Sequence, residues 1–144
     1  MNLIDRALAQ GDSLTADDLL QAMADLYKEP QVWQELAQYP QYIQDIAYIV
    51  DYDTQVQMEG LDAFVTGPHA EQYEQTWQAL MNCGAVDEAR ILERVKSLAD
   101  SDPACEDSAA DDEIAVLCRK IALYQDYDAF WDLVRAYIER SWKR

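Results

Sequence analysis

The sequence predicts an all-α fold, a single domain over residues 1–144 with about seven to eight helices. Apolar residues recur at spacings of three and four, and no segment shows a convincing run of alternating apolar and polar residues. Only four glycines and four prolines interrupt the chain, which favours helices over short strands and tight turns. Half of the residues are hydrophobic, enough for a core without metal or disulfide support.

Residues typical of helix ends place the elements of the N-terminal half. A short first helix is expected to end at Gly11. Thr15 and Asp18 have the spacing of a helix cap, in which each side chain accepts a hydrogen bond from the other's backbone. That second helix is expected to end before Pro30, which begins a short helix, and Pro40 opens the next.

The C-terminal half shows similar signals. A further helix is predicted at 54–65 with Gly60 inside it, which indicates close packing or a bend at that glycine. Gly84 ends the helix that follows. The acidic segment 100–112 holds almost no large apolar residue and predicts a solvated loop, with a last helix starting at Asp126 or Asp128.

The charge balance limits the classes of partner. The chain has 28 acidic against 11 basic residues, a net charge of −17 and a pI near 4.1. Direct binding of nucleic acid needs basic residues to replace the counterions of phosphate, and anionic membranes repel an acidic surface. We therefore expect basic proteins or cations as partners, with no direct contact to nucleic acid or membrane.

The chain lacks the residue patterns of known catalytic and metal sites. His69 is the single histidine, and no Gly-rich phosphate loop or zinc spacing is present. The segment from Asp100 departs from a calcium-binding loop, since Pro103 and Ala104 occupy ligand-loop positions. We expect no catalytic residue, no metal and no cofactor. A deep pocket that holds His69 and two carboxylates would instead indicate an enzyme.

Cysteine usage and the N-terminus favour a cytoplasmic location. Cys83, Cys105 and Cys118 are widely spaced and odd in number, so no disulfide framework is indicated. The first residues lack the basic start and apolar run of a signal peptide, and the longest apolar run is too short to span a bilayer.

The distribution of charge along the chain indicates a binding surface. No Lys or Arg occurs between Lys28 and Arg90. Some acids in this stretch and elsewhere, Asp87 and Glu88 among them, fall in first helical turns, where carboxylates stabilise a helix without any partner. This reason does not apply to seven others, which we predict to form a continuous negative face for a partner: Glu35, Asp45, Asp51, Asp53, Glu59, Asp62 and Glu74. A merely solvated acidic surface is the alternative.

Rows of carboxylates on rigid helices can imitate a nucleic-acid backbone. Neighbouring acids on a helix lie about 5–6 Å apart, and each strand of duplex DNA presents a phosphate about every 3.4 Å of axis. A basic surface that reads DNA can therefore dock on such a face and be blocked.

Several segments resemble a family of acidic helical DNA-mimic proteins of bacteria. They are Val56–Thr66, Ala79-Leu80, Gly84-Ala85 and Ala89–Glu93, within roughly residues 40–100, and the last two helices show weaker similarity. The Asn-Gly-Gly of the family corresponds to Met58-Glu59-Gly60 here. The resemblance implies an all-helical dimer that sequesters a helix-turn-helix repressor.

The predicted function is a DNA-mimic-like inhibitor that binds the basic surface of a DNA-binding protein, plausibly a helix-turn-helix regulator. The alternative is a cytosolic immunity protein that neutralises a basic nuclease-type toxin. A homodimer is expected from the resemblance and from Trp33, Trp131 and Trp142, which exceed what a small domain needs to bury.

Overall fold

All regular secondary structure in the computed structural model, which describes residues 1–142, is helical, so the all-α class is confirmed. The described chain forms ten α-helices, more than the seven to eight predicted, because four of them have only four to six residues. Four short 3-10 turns lie between them. The helices are α1 (Leu3–Leu8), α2 (Ala16–Ala24), α3 (Val32–Glu35), α4 (Gln41–Glu59), α5 (Leu61–Thr66), α6 (Tyr73–Cys83), α7 (Val86–Ser101), α8 (Ser108–Arg119), α9 (Ala122–Gln125) and α10 (Tyr127–Trp142).

Local side-chain contacts define several helix ends as predicted. The Thr15 hydroxyl accepts a hydrogen bond from the N–H of Asp18, and the Asp18 carboxylate accepts one from the N–H of Thr15. The same reciprocal cap forms at Asn2 and Asp5 ahead of α1. Gly84 ends α6 in the left-handed conformation, at φ 93°. These caps satisfy backbone donors and acceptors that a helix cannot satisfy internally.

The break between α4 and α5 lies at Gly60. The sequence predicts one helix that begins at Pro40 and a separate helix over 54–65, so the predicted break before residue 54 is wrong. Helix α4 runs without interruption to Glu59, and α5 begins at Leu61. Gly60 adopts φ 92° and ψ 161°, a conformation that side-chain-bearing residues rarely adopt. The bend expected at this glycine is therefore confirmed, and it separates two helices.

The connection between α7 and α8 is shorter than the loop predicted at 100–112. Helix α7 continues to Ser101 and α8 begins at Ser108. The Asp102 carboxylate accepts hydrogen bonds from the N–H groups of Glu106 and Asp107, and the Asp107 carboxylate caps α8. Acidic residues thus order this segment by accepting backbone hydrogen bonds, which composition alone does not reveal.

Helix α4 lies at the centre of the bundle. It packs against α2, α5, α6 and α10, and one continuous cluster of buried hydrophobic side chains extends from Ile4 to Ile138. Trp131 is buried, and Trp33 and Trp142 are half-buried against this cluster, so the core accommodates all three tryptophans. None of the helices within residues 1–142 is long and apolar enough to cross a membrane.

Candidate partner-binding surface

The seven carboxylates predicted to bind a partner divide between the interior and the surface. Asp45 and Asp53 lie in the interior, with 1% and 9% of their surface exposed. Glu59, Asp62 and Glu74 are exposed. The seven therefore do not form the continuous face that the sequence predicts. The reason is that α4 is enclosed by other helices on several sides, so that it buries charged as well as apolar residues. Glu35, Asp62 and Glu74 lie in the first turns of α3, α5 and α6, so the expectation that none of the seven has a first-turn position is wrong for these three.

Glu35 and Asp51 are half-buried and each contacts another side chain. Glu35 accepts a hydrogen bond of 3.2 Å from the side-chain amide of Asn2. Asp51 Oδ2 lies 3.8 Å from Nδ1 of His69, and burial raises the pKa of this carboxyl despite the opposing effect of His69. The ring of His69 stacks on Phe64 with an interplanar angle of 6°. These contacts make both carboxylates part of the packed structure.

The Asp45 carboxylate joins three helices through hydrogen bonds from neutral donors. Its Oδ1 accepts one of 2.8 Å from the Gln41 amide of the same helix. Its Oδ2 accepts one of 2.9 Å from the Asn82 amide of α6 and one of 2.6 Å from the Tyr137 hydroxyl of α10. Burial and the adjacent carboxylate raise the pKa of Tyr137. A buried carboxylate needs such donors, because it has lost its hydration.

Two further carboxylates are buried against tyrosines. Asp53 accepts a hydrogen bond of 2.7 Å from the Tyr127 hydroxyl, and burial raises its pKa although this bond opposes the shift. Glu88 accepts hydrogen bonds from the Tyr52 hydroxyl at 3.1 Å and from the N–H of Ala122 at 2.8 Å. Burial also raises the pKa of Glu88. The first-turn position predicted for Glu88 is confirmed, but its side chain reaches inward to the start of α9.

Some exposed carboxylates of residues 1–142 form ion pairs and others do not. Outside α4–α6, Arg94 pairs with Glu113 at 2.6 Å and Arg135 with Asp17 at 2.8 Å, whereas exposed acids such as Glu93 and Asp128 have no ion pair with a described residue. Within residues 1–142, four exposed carboxylates of α4, α5, α6 and the turn before α6 have no Lys or Arg nitrogen within 4 Å. We call these four the acidic surface: Glu59, Asp62, Glu71 and Glu74.

Two exposed tyrosines lie beside the C-terminal end of α4, and the sequence analysis did not identify them. Tyr124 continues the helical spacing of Leu117 and Ile121, which predicts that its side chain faces inward. It is instead 49% exposed, and its hydroxyl donates to the carbonyl oxygen of Val56 at 3.2 Å. Tyr127 is 44% exposed above Asp53. The apolar spacing that placed Tyr124 inside fails because the helix ends at Arg119 and restarts at α9. Exposed tyrosines often anchor protein interfaces.

A sequence model of the DMP19-like proteins, named after DNA mimic protein 19, matches residues 37–141. The chain belongs to the DMP19-like family. The matched region begins before α4 and ends within α10, so it contains the buried carboxylates of these helices and the acidic surface. The match covers the resemblance seen in roughly residues 40–100 and the weaker similarity of the last two helices. No significant match was found among curated proteins or among solved structures.

Within the DMP19-like match, the segment that first indicated the family is the junction of α4 and α5. A Cβ at Gly60 would lie 3.0 Å from Oδ1 of Asp62, in a backbone conformation that is strained for other residues. The glycine of this motif therefore has a structural reason. No group of three or more possible metal-ligating side chains occurs within residues 1–142.

Proposed function

We propose that the protein is a DNA-mimic-like inhibitor, which occupies the basic surface of a DNA-binding protein and blocks its binding to DNA. A helix-turn-helix transcription regulator is the partner type that fits best. The observation that carries the proposal is the acidic surface, whose four exposed carboxylates lack ion pairs with residues 1–142 and lie in the DMP19-like part of the chain. The protein acts by binding in the cytoplasm and performs no catalysis.

The physical basis is electrostatic. Carboxylates without intramolecular partners are free to meet Lys and Arg side chains, and the net charge of −17 accelerates the encounter with a basic protein. Asp45 and Asp53 have too little exposed surface for direct contact with a partner. Their buried charges instead contribute to the negative electrostatic potential at the protein surface. The exposed tyrosines Tyr124 and Tyr127, which contact Val56 and Asp53 of α4, supply the apolar contacts that charge alone does not provide.

The proposal is tested by capturing partners from host lysate on three immobilised forms of the protein. The first is the wild type. The second, Glu59→Gln/Asp62→Asn/Glu71→Gln/Glu74→Gln, neutralises the acidic surface. The third removes the same number of charges at ion-paired positions, by the changes Asp17→Asn, Asp100→Asn, Glu113→Gln and Asp132→Asn.

We expect the wild type and the ion-paired control to retain a DNA-binding protein, which duplex DNA or raised salt displaces. The acidic-surface variant should lose it. Retention by all three forms, or a captured protein that does not bind DNA, contradicts the proposal. A basic nuclease-type toxin among the captured proteins would indicate an immunity protein instead.

We also propose that the protein is a homodimer, as the family resemblance implies. Tyr27 and Met58 are 73% and 72% exposed and border one apolar groove between α2 and α4. Sedimentation velocity of the wild type and of Met58→Lys tests this pairing, with Leu133→Lys as the control at another exposed apolar position. A monomeric wild type contradicts the homodimer. Loss of the dimer in Met58→Lys but not in Leu133→Lys places the dimer interface at this groove.

A further inference from the structure

A surface groove of about 410 Å³ lies between α4 and α6 and opens above the buried carboxylate of Asp45. The groove, which we call the Asp45 groove, also contains Glu74, Tyr48 and glutamines of both helices. Its glutamines are Gln41, Gln44, Gln75 and Gln78. It therefore combines two carboxylates and one aromatic ring with several amides.

The rules of hydrogen bonding determine whether the nitrogen or the oxygen of each neighbouring side-chain amide faces Asp45. An ionised carboxylate only accepts hydrogen bonds, so Gln41 and Asn82 must present their amide nitrogens to it. The side-chain oxygen of Asn82 then remains to accept the hydrogen bond of 2.9 Å from the Gln78 amide. Gln44 likewise donates its amide N–H, to the carbonyl oxygen of Tyr39 at 2.9 Å.

The direction of these bonds determines what the groove offers to a ligand. Three of its four glutamines each use one amide N–H on the protein, and their carbonyl oxygens remain as acceptors. Gln78 donates a hydrogen bond to Asn82, and Asn82 donates one to Asp45. Each hydrogen bond in such a chain polarises the next. The groove thus presents carbonyl oxygens and negative charge to a ligand, beside the remaining amide N–H groups.

We infer that the Asp45 groove binds an arginine side chain of the partner, an inference that rests on the proposed function. A guanidinium group has five N–H donors in one plane, no acceptor and a permanent charge. Those donors match the glutamine oxygens and Glu74, and its flat face matches the ring of Tyr48. A lysine ammonium has three donors and cannot stack, so the groove prefers arginine.

The protein's own cations leave this site open within the described residues. Arg140 of α10 comes near, but it donates to the carbonyl oxygen of Asn82 at 3.3 Å and lies over the ring of Tyr137. Within residues 1–142, neither Asp45 nor Glu74 forms an ion pair with Lys or Arg. The exposed carboxylate of Glu74 therefore remains available to an external cation, and the buried charge of Asp45 adds to the negative potential of the groove.

The test uses methylguanidinium as the probe, so it does not depend on finding the partner. The side-chain amide signals of Gln41, Gln75, Gln78 and Asn82 are followed by NMR during titration with methylguanidinium, methylammonium or sodium chloride at equal ionic strength. We expect saturable shifts with methylguanidinium and weaker binding of methylammonium. Glu74→Gln should weaken methylguanidinium binding about fivefold, the effect of one partly exposed charge.

Glu106→Gln is the matched control, because it removes an exposed charge outside both the groove and the acidic surface. Asp45→Asn is a second variant, which should also weaken the binding. Shifts that are equal for all three salts, or that are unchanged in both Glu74→Gln and Asp45→Asn, overturn the inference. Methylguanidinium binding without capture of a DNA-binding protein overturns only the proposed function, and capture without methylguanidinium binding overturns only the groove.

Discussion

The hydroxyl of Tyr127 donates a hydrogen bond of 2.7 Å to the carboxylate of Asp53, which joins the first turn of α10 to the middle of α4 across 74 positions of sequence. Asp53 is buried and Tyr127 is partly exposed, so the tyrosine covers the carboxylate at the protein surface. The bond contributes to stability because it compensates a charge that has lost its water. It also connects the interior to the surface proposed for the partner.

Removing this hydroxyl should destabilise the fold. In Tyr127→Phe the Asp53 carboxylate loses its short hydrogen bond, and we expect the free energy of unfolding to fall by about 1–3 kcal/mol at neutral pH. Urea denaturation measures the change. Tyr124→Phe is the control, since its hydroxyl donates to the uncharged carbonyl of Val56 and its loss should cost about 1 kcal/mol or less. An equal loss in both variants would contradict the role of the charge.

Stability should increase as the pH falls below neutral. Burial raises the pKa of Asp51, Asp53 and Glu88, so the folded protein binds these protons more tightly than the unfolded chain. The free energy of unfolding therefore rises as the pH falls through the raised pKa values to about 4, the ordinary value of a carboxyl. This increase in the free energy of unfolding is lost as the pH rises back through the raised pKa values.

Asp53→Asn should flatten this dependence, because the amide does not titrate. Denaturation midpoints at several pH values between about 4.5 and 7.5 provide the measurement. Glu113→Gln is the opposite control, since the Arg94 guanidinium lowers the pKa of Glu113 and its contribution is lost as the pH falls. A wild-type midpoint that decreases steadily as the pH falls from about 7.5 to about 4.5 would show that burial does not govern these carboxyls.

A side chain at Gly60 should weaken the junction of α4 and α5. In Gly60→Ala the Cβ lies 3.0 Å from Asp62 Oδ1 at φ 92°, and we expect a loss of about 1–3 kcal/mol in thermal denaturation. Gly11→Ala is the control, because φ is also positive there but no atom lies within 4 Å of the new Cβ. The smaller loss expected at Gly11 separates backbone strain from steric contact.

Neutralising the acidic surface should stabilise the isolated protein at low salt. The variant Glu59→Gln/Asp62→Asn/Glu71→Gln/Glu74→Gln removes mutual repulsion, and we expect Tm to rise by about 2–4 °C. The difference should vanish near 1 M salt, where screening acts over about 3 Å. Calorimetry at both salt concentrations tests this. A lower Tm for the variant at low salt would show that these carboxylates make favourable contacts.

Local signals predicted more of the fold than of the surface. The cap of Thr15 and Asp18 and the end of α6 at Gly84 depend on adjacent residues, so spacing alone located them. The burial of Asp45 depends on Asn82 and Tyr137, which are far away in sequence. The spacing of apolar residues does not reveal this burial, because a helix that packs on several sides has no single polar face. The bundle class was therefore predictable, and the division of its carboxylates was not.

The absence of Lys and Arg between Lys28 and Arg90 has a practical consequence for mapping contacts. Trypsin cleaves after Lys and Arg, so complete digestion leaves Glu29 to Arg90, with α3–α6, as one peptide. Cross-linkers that react with lysine amines, and enzymes that acetylate or ubiquitinate them, find no acceptor in these helices. Carboxyl-directed cross-linkers and a protease that cleaves at acidic residues are the reagents that can detect a partner bound here.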